Sequence, residues 1–139
     1  GPANDLGSSM TTFGPQLIGE TEKTLQALLR RALAGTGLDE RQWVTLRLAA
    51  QPDGTALRER VSDRAHFDNA DDLVSALEQR HLVADDVPTA DGRAMLERVL
   101  TRSAALSGPI WDDVEDADAA ARALTRVLAR ARSALEATA

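Results

Sequence analysis

Two segments separated by five residues decide the fold of this chain: Glu78-Gln79-Arg80-His81-Leu82-Val83 and Thr89-Ala90-Asp91-Gly92-Arg93-Ala94-Met95-Leu96-Glu97-Arg98. The first segment ends a helical pattern and continues as a very short extended piece. The second begins with Thr89, a residue type that caps helices, and continues with apolar residues at helical spacing. The linking residues 84–88 are too few for two strands and a turn. We therefore expect a helical fold with only a vestigial β element.

The composition limits the classes of protein that this chain can represent. Its 139 residues suit one domain with a real core, and the abundance of Ala, Leu, Arg and acidic residues favours helices. The absence of cysteine excludes disulfides, thiolate nucleophiles and cysteine-based zinc sites. No stretch approaches the roughly 18 apolar residues of a membrane span, so no membrane partner is expected.

The net charge of −6 argues against a general binder of polyanions. Most non-specific affinity for DNA comes from Lys and Arg side chains at phosphates. A local basic patch can nevertheless suffice, so the charge lowers the expectation of DNA binding without removing it.

The apolar periodicity predicts about six helices, the first of them over about residues 15–34. Each predicted helix begins near a residue that suits a first turn or an N-cap: Pro15, Asp39, Thr55, Asp68, Thr89 and Asp116. Asp39 and Gln42 have the spacing of a capping box. Ser107-Gly108-Pro109 is predicted to interrupt or kink the fifth helix.

The order of four stretches resembles the MarR family of winged helix-turn-helix regulators. Leu38-Asp39-Glu40-Arg41-Gln42-Trp43-Val44-Thr45-Leu46 looks like the second helix of that family. Residues 73–83, ending in Leu-Glu-x-x-x-Leu-Val, look like the end of the recognition helix and the strand after it. Residues 89–99, Thr-x-x-Gly-Arg-Ala-x-Leu-Glu-Arg-Val, look like the start of the helix after the wing, and residues 118–135 look like the C-terminal dimerisation helix.

The resemblance implies an all-α domain with a rudimentary wing, in a homodimer that interleaves the terminal helices of two cytoplasmic copies. Residues 39–88 would be the helix-turn-helix lobe, and residues 13–36 and 89–139 the dimerisation helices of a single domain over residues 10–139. Residues 1–9 are interpreted as a tag remnant and Met10 as the native start. Broad apolar stripes on the first, fifth and last helices also indicate a partner, independently of the resemblance, because a small domain would have difficulty burying all of them alone.

Two departures from the family concern the elements that read DNA. The family's wing carries an Asp-x-Arg pattern, whereas residues 84–88 contain neither Arg nor Lys. Residues 68–80, which include the recognition helix, hold four acids and one Arg. His81 also replaces the Gly that is usual in the family, at a position where the backbone is expected to be left-handed.

Candidate DNA contacts cluster around the third and fourth helices. Phosphate contacts are predicted at Arg58, Arg60 and Arg64 with help from Arg47 and Arg80, and groove-facing contacts at Asn69 and Ser75. The alternative is that the arginines pair with Glu59, Asp63 and the acids of the fourth helix on a solvated surface.

Candidate ligand contacts centre on the two tryptophans. In the resembled family, effectors bind between the DNA-binding lobe and the dimerisation helices. The residues predicted to line such a pocket are Thr21, Gln42, Trp43, Phe67, Met95 and Trp111. The alternative is that both indoles belong to the core.

Other polar clusters are interpreted as structural. His66 with Asp68, Asp71 and Asp72, and His81 with Asp85 and Asp86, lack the spacing of a metal site, so no metal or cofactor is predicted. An arginine stripe on the last helix, formed by Arg122, Arg126 and Arg130, suits an exposed helix face or an acidic partner.

Two functions follow from the sequence. The first is a dimeric regulator that binds operator DNA and a small-molecule effector. The alternative is a MarR-like scaffold that has lost DNA binding and serves a pathway by binding a small molecule or a protein, or by catalysis. No catalytic residues are predicted, because no nucleophile–base pair is evident.

Overall fold

The structure is a computed structural model that describes residues 12–138, and this range contains six helices and one two-stranded sheet. The helices are α1 (Pro15–Ala32), α2 (Glu40–Ala49), α3 (Leu57–Ala65), α4 (Ala70–Gln79), α5 (Ala90–Asp112) and α6 (Ala117–Thr138). The strands are β1 (Val83–Ala84) and β2 (Val87–Pro88). The predicted fold class is confirmed. The predicted tag remnant and Met10 lie outside the described residues.

The chain divides between Leu106 and Ser107 into two compact units. In the first unit, α2, α3 and α4 pack against one another around a single apolar core. Its fully buried side chains include Leu46, Leu57, Val61, Val74, Leu77 and Val99. Truncating such a Leu to Ala typically costs about 2–5 kcal/mol, so this cluster is the main source of stability in the first unit.

Three predicted caps are present at the helix starts. The Gln42 N–H donates to Asp39 Oδ1 at 2.8 Å and the Asp39 N–H donates to Gln42 Oε1 at 3.1 Å, which completes the capping box. The Gly92 N–H donates to Thr89 Oγ1 at 3.0 Å. The Ala119 N–H donates to Asp116 Oδ1 at 3.0 Å. Local side-chain chemistry therefore sets the starts of α2, α5 and α6.

Two other predicted caps are wrong, because nearby groups engage the capping side chains first. The N-cap of α3 is Ala56, and the Thr55 hydroxyl instead donates to the Asp53 carboxylate. The N-cap of α4 is Asn69, and Asp68 instead forms an ion pair with Arg41 at 3.3 Å.

The predicted interruption at Ser107-Gly108-Pro109 is absent, because α5 continues through Pro109 to Asp112. Proline removes one backbone donor and disturbs the preceding turn of a helix. Pro109 lies only three residues before the end of α5, so few hydrogen bonds beyond it depend on regular geometry.

The prediction that residues 84–88 cannot form a hairpin is wrong. β1 and β2 pair antiparallel, with Val83 opposite Pro88 and Ala84 opposite Val87. Asp85 and Asp86 form the two-residue turn with φ of 52° and 67°. Positive φ at both central residues is the requirement of a type I′ turn, the shortest connection between paired strands. We call residues 83–88 the reduced wing.

The base of the reduced wing is held by the two motifs that flank it. Thr89 donates its N–H to the Leu82 carbonyl at 3.0 Å and its hydroxyl to the His81 carbonyl at 2.6 Å. His81 has φ of 60°, which confirms the predicted left-handed geometry. A Cβ on Gly92 would overlap the Leu82 carbonyl group. The Thr-x-x-Gly motif therefore locks the start of α5 against the end of α4.

None of the helices within residues 12–138 is both long and apolar enough to cross a membrane.

Candidate functional site

A polar cleft of about 490 Å³ lies between α3 and the start of α4. We call it the α3/α4 cleft. Its lining side chains are Arg58, Glu59, Ser62, Asp63, Asp68, Asn69, Ala70, Asp71 and Asp72. Five carboxylates face one guanidinium, so the cleft itself is acidic.

Arg58 is the cation of this cleft, and its Nη1 lies 3.2 Å from Asp71 Oδ1. The side chains of Arg58 and Asp71 are 56% and 77% exposed. Exposed ion pairs contribute about 0–1 kcal/mol, so the pair holds Arg58 in place only weakly. Arg58 is accessible to a phosphate, although an acid of α4 already contacts it.

Arg64 and Arg47 are exposed near the same lobe and make other contacts. Arg64 Nη2 donates to Gln51 Oε1 at 3.2 Å. The Arg47 guanidinium lies 6.0 Å from the Trp43 ring centroid, within the range of a cation–π contact.

Arg60 does not share this surface. Its side chain is 2% exposed, and its guanidinium donates to the carbonyls of Leu48 and Asp86. Residues two apart on a helix differ by about 200° in direction, so Arg58 and Arg60 point to opposite sides of α3. Sequence reasoning grouped them because they flank the same acidic residue, Glu59, in a charged stretch of the chain.

The remaining residues predicted to contact DNA differ in whether their side chains already make hydrogen bonds within the chain. Arg80 Nη2 donates to the Thr36 carbonyl at 2.9 Å, so the side chain folds back onto the α1–α2 loop. Asn69 Oδ1 accepts a hydrogen bond from Arg41 Nη1 at 2.9 Å. Ser75 is exposed on α4.

Arg41 makes several side-chain contacts with the segment before α4, and sequence reasoning did not identify it. Its guanidinium lies 4.7 Å from the Phe67 ring centroid and also reaches Asp68 and Asn69. These partners lie on the segment before α4, more than 25 residues along the chain, so no local sequence pattern indicates the contact. Arg41 therefore ties the start of α2 to the start of the α4 helix.

The predicted ligand residues are only partly brought together. Trp43 is buried, and Phe67 and Met95 pack against the same core cluster. Gln42 is committed to the capping box, and the exposed Thr21 donates its hydroxyl to the Leu17 carbonyl at 2.7 Å.

Trp111 lies in the second unit, where its side chain is 57% exposed. In α6, no residue from Ala117 to Thr138 is buried. Arg122, Arg126 and Arg130 flank Val127 along one side of that helix. The second unit by itself therefore presents an apolar stripe next to a basic one.

Among the described residues of the first unit, the carboxyl whose pKa is shifted is that of Asp53. The Thr55 hydroxyl and then the Thr55 N–H donate hydrogen bonds that lower the pKa of the Asp53 carboxyl, and the charges of Arg60 and Arg64 act in the same direction. Among residues 12–138, no three His, Asp or Glu side chains converge on a point that could hold a metal ion.

Solved structures share this arrangement of helices and hairpin. A MarR-family transcriptional regulator from Rhodococcus sp. RHA1 superposes with a TM-score of 0.64 at 23% identity, over 97% of this chain and 92% of that one. CouR from Rhodococcus jostii RHA1, solved bound to p-coumaroyl-CoA, superposes with a TM-score of 0.62 at 23% identity, over 87% of each chain.

The fold is the MarR-type winged helix. No family model matches the sequence, and no functionally curated protein matches it either. The two-stranded sheet of residues 83–88 is a vestigial wing in this fold. The first turn of α4 carries Asp71 and Asp72.

Proposed function

We propose that this chain is a dimeric transcriptional regulator that binds operator DNA and responds to a small-molecule effector. The observation that carries the proposal is the MarR-type fold, which extends over the helix-turn-helix and both terminal helices. The proposed DNA contact places α4 in the major groove and uses Arg58 and Arg64 at phosphates. The burial of Arg60 removes it from the proposed contact set.

The exposed apolar surface supports the homodimer. Large apolar side chains that are more than 40% exposed recur along α5, in the link to α6 and along α6, at Leu100, Leu106, Ile110, Trp111, Val114, Leu124, Val127, Leu128 and Leu135. Exposed apolar side chains are unfavourable in water, and burying them against the same side chains of a second copy would remove most of that free-energy cost.

The effector is proposed to be a small organic anion of the size of an acyl thioester or smaller. This rests on CouR, which was solved bound to p-coumaroyl-CoA. It is also consistent with the cationic side chains of Arg122, Arg126 and Arg130 beside the apolar stripe. p-Coumaroyl-CoA is therefore the first probe for calorimetric titration.

The DNA contact is tested with the double variant Arg58→Glu/Arg64→Glu and DNA from the region upstream of the gene. We expect the wild type to bind at low salt, and the logarithm of its affinity to fall with the logarithm of the salt concentration. The variant should lose binding at least about a hundredfold, because two phosphate contacts become repulsions.

The matched control is Lys23→Glu/Arg31→Glu, which makes the same change of charge at exposed positions of α1. Only a modest loss of affinity is expected for the control, because its charges lie outside the helix-turn-helix. Sedimentation equilibrium checks that the control, which changes a proposed dimerisation helix, keeps the molecular mass of the wild type. Equal losses in the two variants would contradict the proposed contact and indicate a general effect of net charge.

The second candidate function is a MarR-type scaffold that no longer reads DNA. The acidic α3/α4 cleft favours it, because five carboxylates beside Arg58 repel phosphates. Absence of binding at low salt to any upstream fragment, together with calorimetric binding of a small molecule, would select this function over the first.

A further inference from the structure

The reduced wing is too short to hold itself in place. Its two strands pair at only two positions, and isolated hairpins are marginal in water even when they are longer. The Thr89 hydrogen bonds to His81 and Leu82 fix the base of the hairpin. The tip at Asp85 and Asp86 lies beyond those bonds and has left-handed backbone geometry, which non-glycine residues adopt at a cost.

Arg60 reaches this tip from inside the lobe. Its Nη2 donates to the Asp86 carbonyl at 3.3 Å, and its Nη1 donates to the Leu48 carbonyl at the end of α2. One buried guanidinium therefore joins α2, α3 and the wing turn, which are separated by 12 and 26 residues along the chain.

The positive charge of Arg60 has a carboxylate near it, that of Asp53, on the Nε side of the guanidinium. Its Nε lies 3.7 Å from Asp53 Oδ1, which is beyond hydrogen-bond distance, and the structure gives Nε no hydrogen-bond partner within the described residues. Burying a charge is unfavourable unless it is paired and hydrogen-bonded. The cation is therefore stable at this position only while the Leu48 and Asp86 carbonyls remain against it.

We propose that Arg60 is the positioning residue of the reduced wing, whose buried guanidinium clamps the carbonyl of the wing turn to the end of α2. The clamp replaces the strand length that the wing lacks. The clamp makes the wing a rigid part of the helix-turn-helix lobe and not a mobile arm. A partner that contacts the wing therefore binds without a further loss of conformational entropy in the wing. This goes beyond the proposed function, because it holds whether the partner is DNA or not.

The test compares the full chain with Arg60→Met, which keeps an unbranched apolar side chain but has no guanidinium and no donor. A second variant, Arg60→Lys, keeps the charge but lacks the planar fork. The control is Arg64→Met, which lies on the same helix but contacts Gln51. Native-state amide exchange is read at Ala84 and Val87, which pair across the wing, and at Leu77 in the core.

We expect Arg60→Met to accelerate exchange at Ala84 and Val87 about tenfold or more beyond any acceleration at Leu77, since the charge-assisted hydrogen bond to the Asp86 carbonyl at the tip is lost. Arg60→Lys should restore part of the protection, and Arg64→Met should leave the ratio unchanged. Equal acceleration at all three amides would overturn the proposal, because Arg60 would then stabilise the whole core and not the wing in particular.

A measurement on the unsubstituted protein covers the case in which Arg60→Met fails to fold. The guanidinium protons of Arg60 should give separate, slowly exchanging NMR signals, because two carbonyls block rotation of the group. A single averaged signal, like that of the exposed Arg64, would overturn the clamp. Neither experiment uses DNA, so failure of the proposed DNA contact leaves the result interpretable.

Discussion

Gly92 shows how one missing side chain determines the position of a helix. The Leu82 carbonyl occupies the space that a Cβ on Gly92 would need, and Thr89 holds that carbonyl in place from the other side. No shift of a side chain can relieve the overlap, because the obstructing atoms belong to the backbone. Gly92 is therefore required for the approach of α5 to the end of α4.

Gly92→Ala should destabilise the protein by about 2–4 kcal/mol, because the start of α5 must move away from Leu82. Gly108→Ala is the matched control, since Gly108 lies inside the same helix with no atom within 4 Å of the position of a Cβ. The control should be neutral or stabilising by up to about 1 kcal/mol. Urea unfolding of both variants measures the difference, and similar midpoints would contradict the explanation.

Asp53 carries the resolved pKa shift of the described chain, and its direction determines a pH dependence. The pKa of Asp53 is lowered chiefly by the Thr55 hydroxyl. A lowered pKa in the folded state contributes stability above the pKa of the unfolded chain. That contribution is lost as the pH falls through the lowered value.

Thr55→Ala should therefore raise the pKa of Asp53 toward its ordinary value, while the backbone hydrogen bond from residue 55 keeps part of the shift. Carboxyl chemical shifts followed from neutral pH to about pH 2 measure the change. Thr55→Ser is the control, because it keeps the hydroxyl and should leave the pKa low. A pKa that is equally low in Thr55→Ala would assign the shift to the backbone hydrogen bond of residue 55 and to the charges of Arg60 and Arg64.

At the scale of elements, the reduced wing is the part where sequence reasoning was least accurate. The helix starts at Asp39, Thr89 and Asp116 follow from residues three apart, so the sequence predicts them well. The turn at Asp85-Asp86 lacks the glycine that normally indicates a type I′ turn. Arg60 contacts the turn itself, Thr89 holds the base of the hairpin, and Gly92 allows the close approach of α5 to that base. All three act at backbone carbonyls, which sequence patterns do not specify.

The backbone strain in this turn gives a direct prediction. Asp85→Asn/Asp86→Gly installs the pair of residues that type I′ turns prefer, and should stabilise the protein by about 1 kcal/mol or more. The Arg60 hydrogen bond should survive, since its acceptor is the backbone carbonyl of residue 86. Thermal or urea unfolding measures the gain. A loss of stability would contradict the assignment of the turn.

At the scale of the whole molecule, the proposed homodimer depends on the apolar face of the last helix. Leu124 and Leu128 are four residues apart on α6 and are 48% and 49% exposed. Ala129 and Ser133 lie on the opposite side of α6 by helical geometry. The proposed homodimer therefore depends on one face of this helix and not on the other.

Leu124→Glu/Leu128→Glu should convert the dimer into a monomer, because the face would then bury charges without partners. Sedimentation equilibrium measures the molecular mass in solution. The control Ala129→Glu/Ser133→Glu adds the same charge to the opposite face and should leave the mass of the dimer unchanged. A dimer that survives the first variant would place the interface elsewhere.

The sequence by itself determined the number of helices, three of their starts, the left-handed backbone at His81 and the resemblance to the MarR-type fold. These depend on helical periodicity and on contacts within a few residues, which a sequence displays directly. Only the tertiary structure separated Arg60 from Arg58 and closed the hairpin over residues 83–88. Both depend on contacts between residues far apart in the chain, where a buried guanidinium meets carbonyls that carry no sequence signal.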